Sequence, residues 1–188
     1  MSLSMPKLYF HYGAMGSAKT MNMLAVADAY TRQGKKVLIL KPGTDIRDGI
    51  LTVRSRIGIE RKADYVITSP DDLKIDLTGI SCLLIDEAQF LTPVCIDALR
   101  ALTATVPVMC YGLRTDSMSK LFPGSQRLFE LADTIHEIKI TCSKCESKAV
   151  FNLRHHDGKK VVDGPQILLG TEDLYAPVCF KHYEKFET

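Results

Sequence analysis

The sequence predicts an α/β fold, a parallel sheet flanked by helices, closed by a small metal-pinned β segment. Three observations predict it. Short apolar runs alternate with helix-forming stretches through the first three quarters of the 188 residues, as in a parallel sheet covered on both faces. A glycine-containing stretch, Gly13 to Thr20, stands between the first such run and the first helix. Two ligand pairs, Cys142-x-x-Cys145 and Cys179-x-x-His182, frame the last part of the chain, and such pairs build tetrahedral zinc sites.

Taken in order, Lys7 to Tyr12 is a short aromatic-rich strand that runs into Gly13. Thr20 to Gln33 carries Met21, Leu24, Ala25 and Ala27 among good helix formers, and Gly34 follows as a stop. Lys36 to Leu40, Ser81 to Ile85 and Pro107 to Tyr111 are buried strands; Pro93 to Thr103 and Ser125 to Leu131 are the helices between the later ones. Gly43 to Lys62 fits neither period and reads as a long mobile loop, a type usually functional or disordered. After Lys139 the pattern changes to knuckle, a Val150 to Leu153 strand, a turn at Asp157-Gly158, a strand near Val161, and knuckle. The expected division is a nucleotide-binding α/β domain over 1–140 and a zinc-binding subdomain over 141–188.

Composition narrows the class. Apolar residues at 46% and charged residues at 24% are ordinary for a soluble globular protein. A formal charge of +2 argues against a dedicated nucleic-acid binder. No apolar run approaches the ~18 residues of a membrane helix, and Met1 to Met5 does not read as a signal peptide. The expectation is a cytoplasmic protein without nucleic-acid or membrane partners, whose six cysteines are reduced thiols and metal ligands.

Gly13-Ala14-Met15-Gly16-Ser17-Ala18-Lys19-Thr20 follows a strand and opens a helix, the setting of a phosphate-binding P-loop. Backbone N–H groups and the helix N-terminus cradle phosphate oxygens there. Lys19 would reach the β- and γ-phosphates of ATP, and the Thr20 hydroxyl would ligate Mg²⁺. Ala18 occupies the second glycine of the pattern; if the backbone there needs a positive φ, its methyl costs about 1–2 kcal/mol. A Gly/Ala-rich turn with an incidental lysine is the plain alternative, and the strand, helix and Lys-Thr register favour phosphate.

Leu83-Leu84-Ile85-Asp86-Glu87 ends an apolar strand in two carboxylates. With a P-loop present, Asp86 suits Mg²⁺ held through water. Glu87 lies beyond the strand's carboxyl end, where ligands of open α/β sheets bind, and could take a proton from a hydroxyl nucleophile or orient a water. Helix capping by acids is the alternative. Cys142, Cys145, Cys179 and His182 form a Cys₃His set, a closed and therefore structural zinc site. It would tether 146–178, too short to stabilise itself by burial. Cys82, Cys95 and Cys110 sit in apolar sequence and read as core; His155-His156 reads as a solvated hairpin tip.

Assembled, these residues closely resemble the type II thymidine kinases, from about Lys7 to Lys185. The carrying motifs are the P-loop with Met15, Asp86-Glu87-Ala88-Gln89-Phe90, Tyr111 to Asp116, both knuckles, and Tyr175-x-Pro177-Val178-Cys179. The resemblance implies a P-loop, RecA-like core that phosphorylates the 5′-hydroxyl of thymidine with ATP and Mg²⁺. Glu87 matches the general base; the loop residues, Asp86 and Gln89 match the nucleotide side. Met15, Phe90, Leu113 and Phe122 match thymine-pocket residues, Tyr175 a conserved tyrosine, and Leu168 the lasso loop that closes over the nucleoside between the knuckles. Structural zinc, a homotetramer and dTTP inhibition are implied as well.

Two further positions depart from the family. Ser117 stands where an aromatic residue usually meets the base, a stacking loss of about 1–3 kcal/mol that would lower nucleoside affinity or shift substrate preference. Gly170-Thr171 replaces the Gly-Gly of the lasso. Arg47 and Arg114 are both candidates for stabilising the transferring phosphoryl group. A divergent paralogue with altered or lost activity, and an ATPase coupled to nucleic-acid binding, stand as alternatives.

Overall fold

A computed structural model describes residues 5–46, 49–156, 159–161 and 174–186. The continuous apolar runs become β1 (Leu8–Tyr12), β2 (Lys36–Pro42), β6 (Ile80–Ile85) and β7 (Val108–Gly112). With β5 (Tyr65–Ile67) and β8 (Thr134–Glu137) they form a six-stranded sheet, in the order β5-β2-β6-β7-β1-β8, every pairing parallel. Helix α1 (Lys19–Arg32) leaves the P-loop, and α2 (Pro93–Leu102) and α3 (Pro123–Leu131) follow β6 and β7. Thr92 caps α2 by accepting from the Cys95 amide, with Pro93 at the first helical position.

Because alternate strand residues point to opposite faces, the core divides in two. Leu38, Leu40, Leu83 and Ile85 join Ile96, Leu99 and Leu128 from α2 and α3. Val37, Ile39, Cys82 and Leu84 join Met23, Leu24 and Ala27 from α1. Cys82, Cys95 and Cys110 are buried, as expected for core thiols. The helices therefore sandwich the sheet.

The stretch read as a mobile loop differs from expectation. It contains an antiparallel hairpin, β3 (Thr52–Arg54) and β4 (Glu60–Lys62), in which Val53 faces Arg61. Among these six residues only Val53 is buried, so the segment carries no period-2 signal. Lys41, at the end of β2, anchors its base: the ammonium is 1% exposed, pairs with Asp45 at 3.3 Å and donates to the Thr52 and Gly49 carbonyls. A buried lysine is tolerable only with such full pairing.

Beyond β8 a second, three-stranded antiparallel sheet runs β10-β9-β11, from β9 (Phe151–His156), β10 (Lys159–Lys160) and β11 (Tyr175–Val178), with α4 (Phe180–Glu184) after it. Its small core comprises Ala149, Leu153, Val178, Tyr183 and the cysteines Cys142 and Cys179. His155 and His156 end β9, paired with Lys160 and Lys159 of β10 beside the hairpin connection; His156 is exposed, while His155 is half-buried with its ring 6.0 Å from Phe186. Leu168, Arg47, Gly170-Thr171 and the Asp157-Gly158 turn lie outside the described residues.

Candidate active site

The carboxyl ends of the adjacent strands β6, β7 and β1 open on one cleft of about 340 Å³, where open parallel sheets bind ligands. Met15, Gly16, Ala18, Lys19, Thr20, Asp86 and Glu87 line it together with Phe90, Leu113, Ser117, Phe122 and Tyr175. All the sequence-proposed pocket residues that the structure describes therefore share one cavity. Gly13, Ala14 and Ser17 form the loop behind this lining. A side chain at Gly13 would meet the Ile138 carbonyl oxygen at 2.4 Å, so this close approach requires glycine.

Lys19 is buried, and its ammonium donates to the Ala14 and Gly13 carbonyls at 2.9 and 3.2 Å. Ala18 adopts φ 61° and ψ 31°, the left-handed conformation for which the pattern uses glycine. The Thr20 hydroxyl donates to the Asp86 carboxylate, 3.2 Å from each oxygen. Asp86 is nearly inaccessible; burial and the neighbouring Glu87 push its carboxyl up to about 7. A divalent cation would reverse that by favouring the carboxylate.

Glu87 also has a positive φ, 48°, a conformation that concentrates at functional sites. The chain turns there from β6 into the 3-10 turn Ala88–Phe90. Gln89 is 1% exposed and is not part of the cleft lining. Its amide nitrogen donates to Glu87 and its oxygen accepts the Leu113 N–H. The pocket beyond is apolar: the Phe90 and Phe122 rings meet edge to face at 5.7 Å, a favourable arrangement for aromatic pairs.

Sequence reasoning missed three contributors. Asn152 on β9, 3% exposed, accepts the Met15 N–H at 2.8 Å and donates to the Thr115 carbonyl at 3.0 Å, tying the P-loop to the second sheet. The hairpin turn contributes Arg56, whose guanidinium lies 3.6 Å from where a side chain on Gly16 would begin. Asp45, held by Lys41, also lines the cleft. A polar residue inside the run Phe151-Asn152-Leu153 was the one visible signal. Arg114 lies outside the cleft lining and donates to the Val150 carbonyl.

The ligand atoms of Cys142, Cys145, Cys179 and His182 all lie within 4.8 Å of one another. Cys145 Sγ is 3.8 Å from Cys179 Sγ, and His182 Nδ1 is 3.6 and 3.3 Å from Cys142 and Cys179 Sγ. A Zn–S bond of about 2.3 Å gives tetrahedral edges of about 3.8 Å, so the donor set fits structural zinc. Hydrogen bonds from Ser147 hold the Cys145 thiol down at about 6, favouring the thiolate a metal needs.

Comparison with known proteins agrees with this geometry. The family model for thymidine kinase matches residues 6–183. A thymidine kinase of Lactiplantibacillus plantarum is 43% identical over 95% of this chain and 96% of its own. That of Streptococcus gordonii is 44% identical over 96% of this chain and 97% of its own. Among solved structures, a helicase from Candida albicans overlays 72% of this chain on 36% of its own with a TM-score of 0.42 and 12% identity, too slight a likeness to bear on function. With a P-loop and a strand-end Asp-Glu pair on one cleft, a Cys₃His cluster in the second, smaller core, and near-full-length identity above 40%, the chain belongs to the thymidine kinase family.

Proposed function

We propose that the chain transfers the γ-phosphoryl group of ATP to the 5′-hydroxyl of thymidine, giving dTMP and ADP. The observation that carries this reading is a single cleft lined at once by Lys19 and Thr20, by Glu87, and by the apolar side chains of Phe90, Leu113 and Phe122. A phosphate loop, a carboxylate and apolar walls for a base share that one cavity.

In this reading the loop amides and Lys19 hold the ATP phosphates, and Thr20 and Asp86 hold Mg²⁺. Mg²⁺ held by Thr20 and Asp86 would supply charge neutralisation to the ATP phosphates. The nucleoside base lies between the Phe90–Phe122 pair, Leu113, Met15 and Tyr175, with Ser117 beside it and Leu168 on the lasso. Glu87 accepts the proton as the 5′-oxygen attacks in line; the new P–O bond forms while the bond to the ADP oxygen breaks. Arg56, on the hairpin turn beside Gly16, is the arginine proposed to steady the transferring group. Arg114, engaged with Val150, is given a structural part. Zinc at the Cys₃His set is structural, since four protein ligands leave no open position.

The division near residue 140, a homotetramer, inhibition by dTTP and a cytoplasmic location belong to the same proposal; no described helix is long and apolar enough to cross a membrane. A second reading, a nucleotide-binding paralogue with little turnover, draws on the left-handed Ala18. Thymidine phosphorylation with ATP and Mg²⁺, beside Glu87→Gln, tests the first. Turnover should fall about 10²–10⁴-fold in the variant. Absence of turnover in the wild type, with ATP still bound, rejects the first reading for the second.

A further inference from the structure

Tyr183 follows the ligand His182 directly, within α4, and is buried. Its ring has two close partners. Phe151 stacks on it at 4.8 Å and 22°, and the Lys160 ammonium stands 3.6 Å from its centroid, a cation–π distance. Its hydroxyl then leaves the small metal-bearing core and donates to the Ser117 carbonyl at 2.7 Å, a buried hydrogen bond across 66 residues of sequence. Ser117 lines the cleft. It belongs to a tight turn bridged between Thr115 and Leu121, within which the Asp116 carboxylate accepts the Met118 and Lys120 amides.

The turn is therefore held within itself, and the phenol joins it to the short helix α4, which Cys179 precedes as N-cap and which contains His182. We propose that Tyr183 is a positioning residue for the nucleoside end of the cleft, fixing the Thr115–Leu121 turn to the metal-bearing helix so that metal loading sets the pocket wall at Ser117. That the wall faces a nucleoside rests on the proposed function; the mechanical link does not. The binding free energies of two sites joined in this way are reciprocal, so a nucleoside on the Ser117 wall should also slow removal of the metal by a chelator.

Tyr183→Phe deletes one oxygen and keeps both ring contacts. Hydrogen exchange over Leu113 to Lys120 is the first readout, on zinc-loaded and chelator-treated protein. In the wild type, chelation should speed exchange there. The zinc-loaded variant should already exchange fast, with zinc content and melting behaviour close to wild type. The second readout is kinetic: KM for thymidine should rise about tenfold, ~1.4 kcal/mol, with KM for ATP unchanged. Wild-type exchange in the zinc-loaded variant, loss of its zinc, or a thymidine KM within twofold of wild type would each overturn the proposal. A wild-type protein that shows the expected exchange pattern yet ignores thymidine overturns the proposed function and leaves the link standing.

Discussion

Gln89 donates its side-chain amide to Glu87 Oε2 at 2.5 Å. The same amide's oxygen takes the Leu113 N–H at 3.0 Å, so one buried group sets the carboxylate relative to the pocket wall. Gly112 makes the room: a side chain there would meet the Gln89 oxygen at 2.7 Å. Gln89→Met keeps the volume and removes both bonds. Turnover should fall by about 10–100-fold, the range for losing groups that orient a site, with a smaller change in KM. A kcat within twofold of wild type in steady-state assays would remove Gln89 from the machinery.

Ala18 holds φ 61° at the start of α1. The left-handed conformation costs an alanine about 1–2 kcal/mol that a glycine escapes. Ala18→Gly should therefore raise unfolding free energy by about 1 kcal/mol, or roughly 2–4 °C in melting temperature for a chain of this size. Urea titration and calorimetry measure it. An unchanged or lower stability would mean that the lost methyl packing outweighs the backbone term.

Asp86 gives a pH dependence whose sign can be worked out. Its folded value, raised to about 7 by burial and then by Glu87, lies above the ordinary 3.8. Between those values the native state holds a proton that the unfolded chain has lost, so this group's contribution to stability falls as pH rises through the window. Asp86→Asn should gain stability over the metal-free wild type as pH is raised from 4 to 8. Mg²⁺ requires the carboxylate, so its stabilisation of wild type should grow from pH 6 to 8 and be absent in the variant. Melting curves in EDTA and in Mg²⁺ decide; a pH-independent gap between the two proteins would refute the assignment.

Zinc removal should separate the two ends of the cleft. Chelation or Cys145→Ser opens a site whose ligands belong to the small second core, while the P-loop is continuous with β1 and α1 and takes only the Asn152 bond to Met15 from the second sheet. Thymidine binding should be lost and ATP binding retained in titration calorimetry. Equal loss of both would place the metal in the stability of the whole chain.

The readable parts of the sequence were those encoded locally. Val37 to Leu40 and Cys82 to Ile85 are continuous apolar runs because both sheet faces are covered. The P-loop, Asp86-Glu87 and the knuckles carry their chemistry within eight residues or fewer. The edge strands escaped notice: Tyr65-Val66-Ile67 is three residues long, and Ile135 and His136 of β8 are both exposed. Long-range partners were invisible too, since nothing near Asn152 or Tyr183 points to Met15 or Ser117, 137 and 66 residues away. Lys41, one residue past the expected strand Lys36 to Leu40, carried no signal because its carboxylate and carbonyl partners come from the stretch that lacked periodicity.

The bond from Asn152 to the Met15 amide has a consequence for biosynthesis. The phosphate loop emerges early from the ribosome, but the residue that holds it emerges 137 positions later, and β1 must wait for β7 and β8 on either side. Closing contacts of such sequence separation is slow. Nucleotide therefore has little to grip on a half-made chain, and ATP should assist folding only after most of the polypeptide has been released.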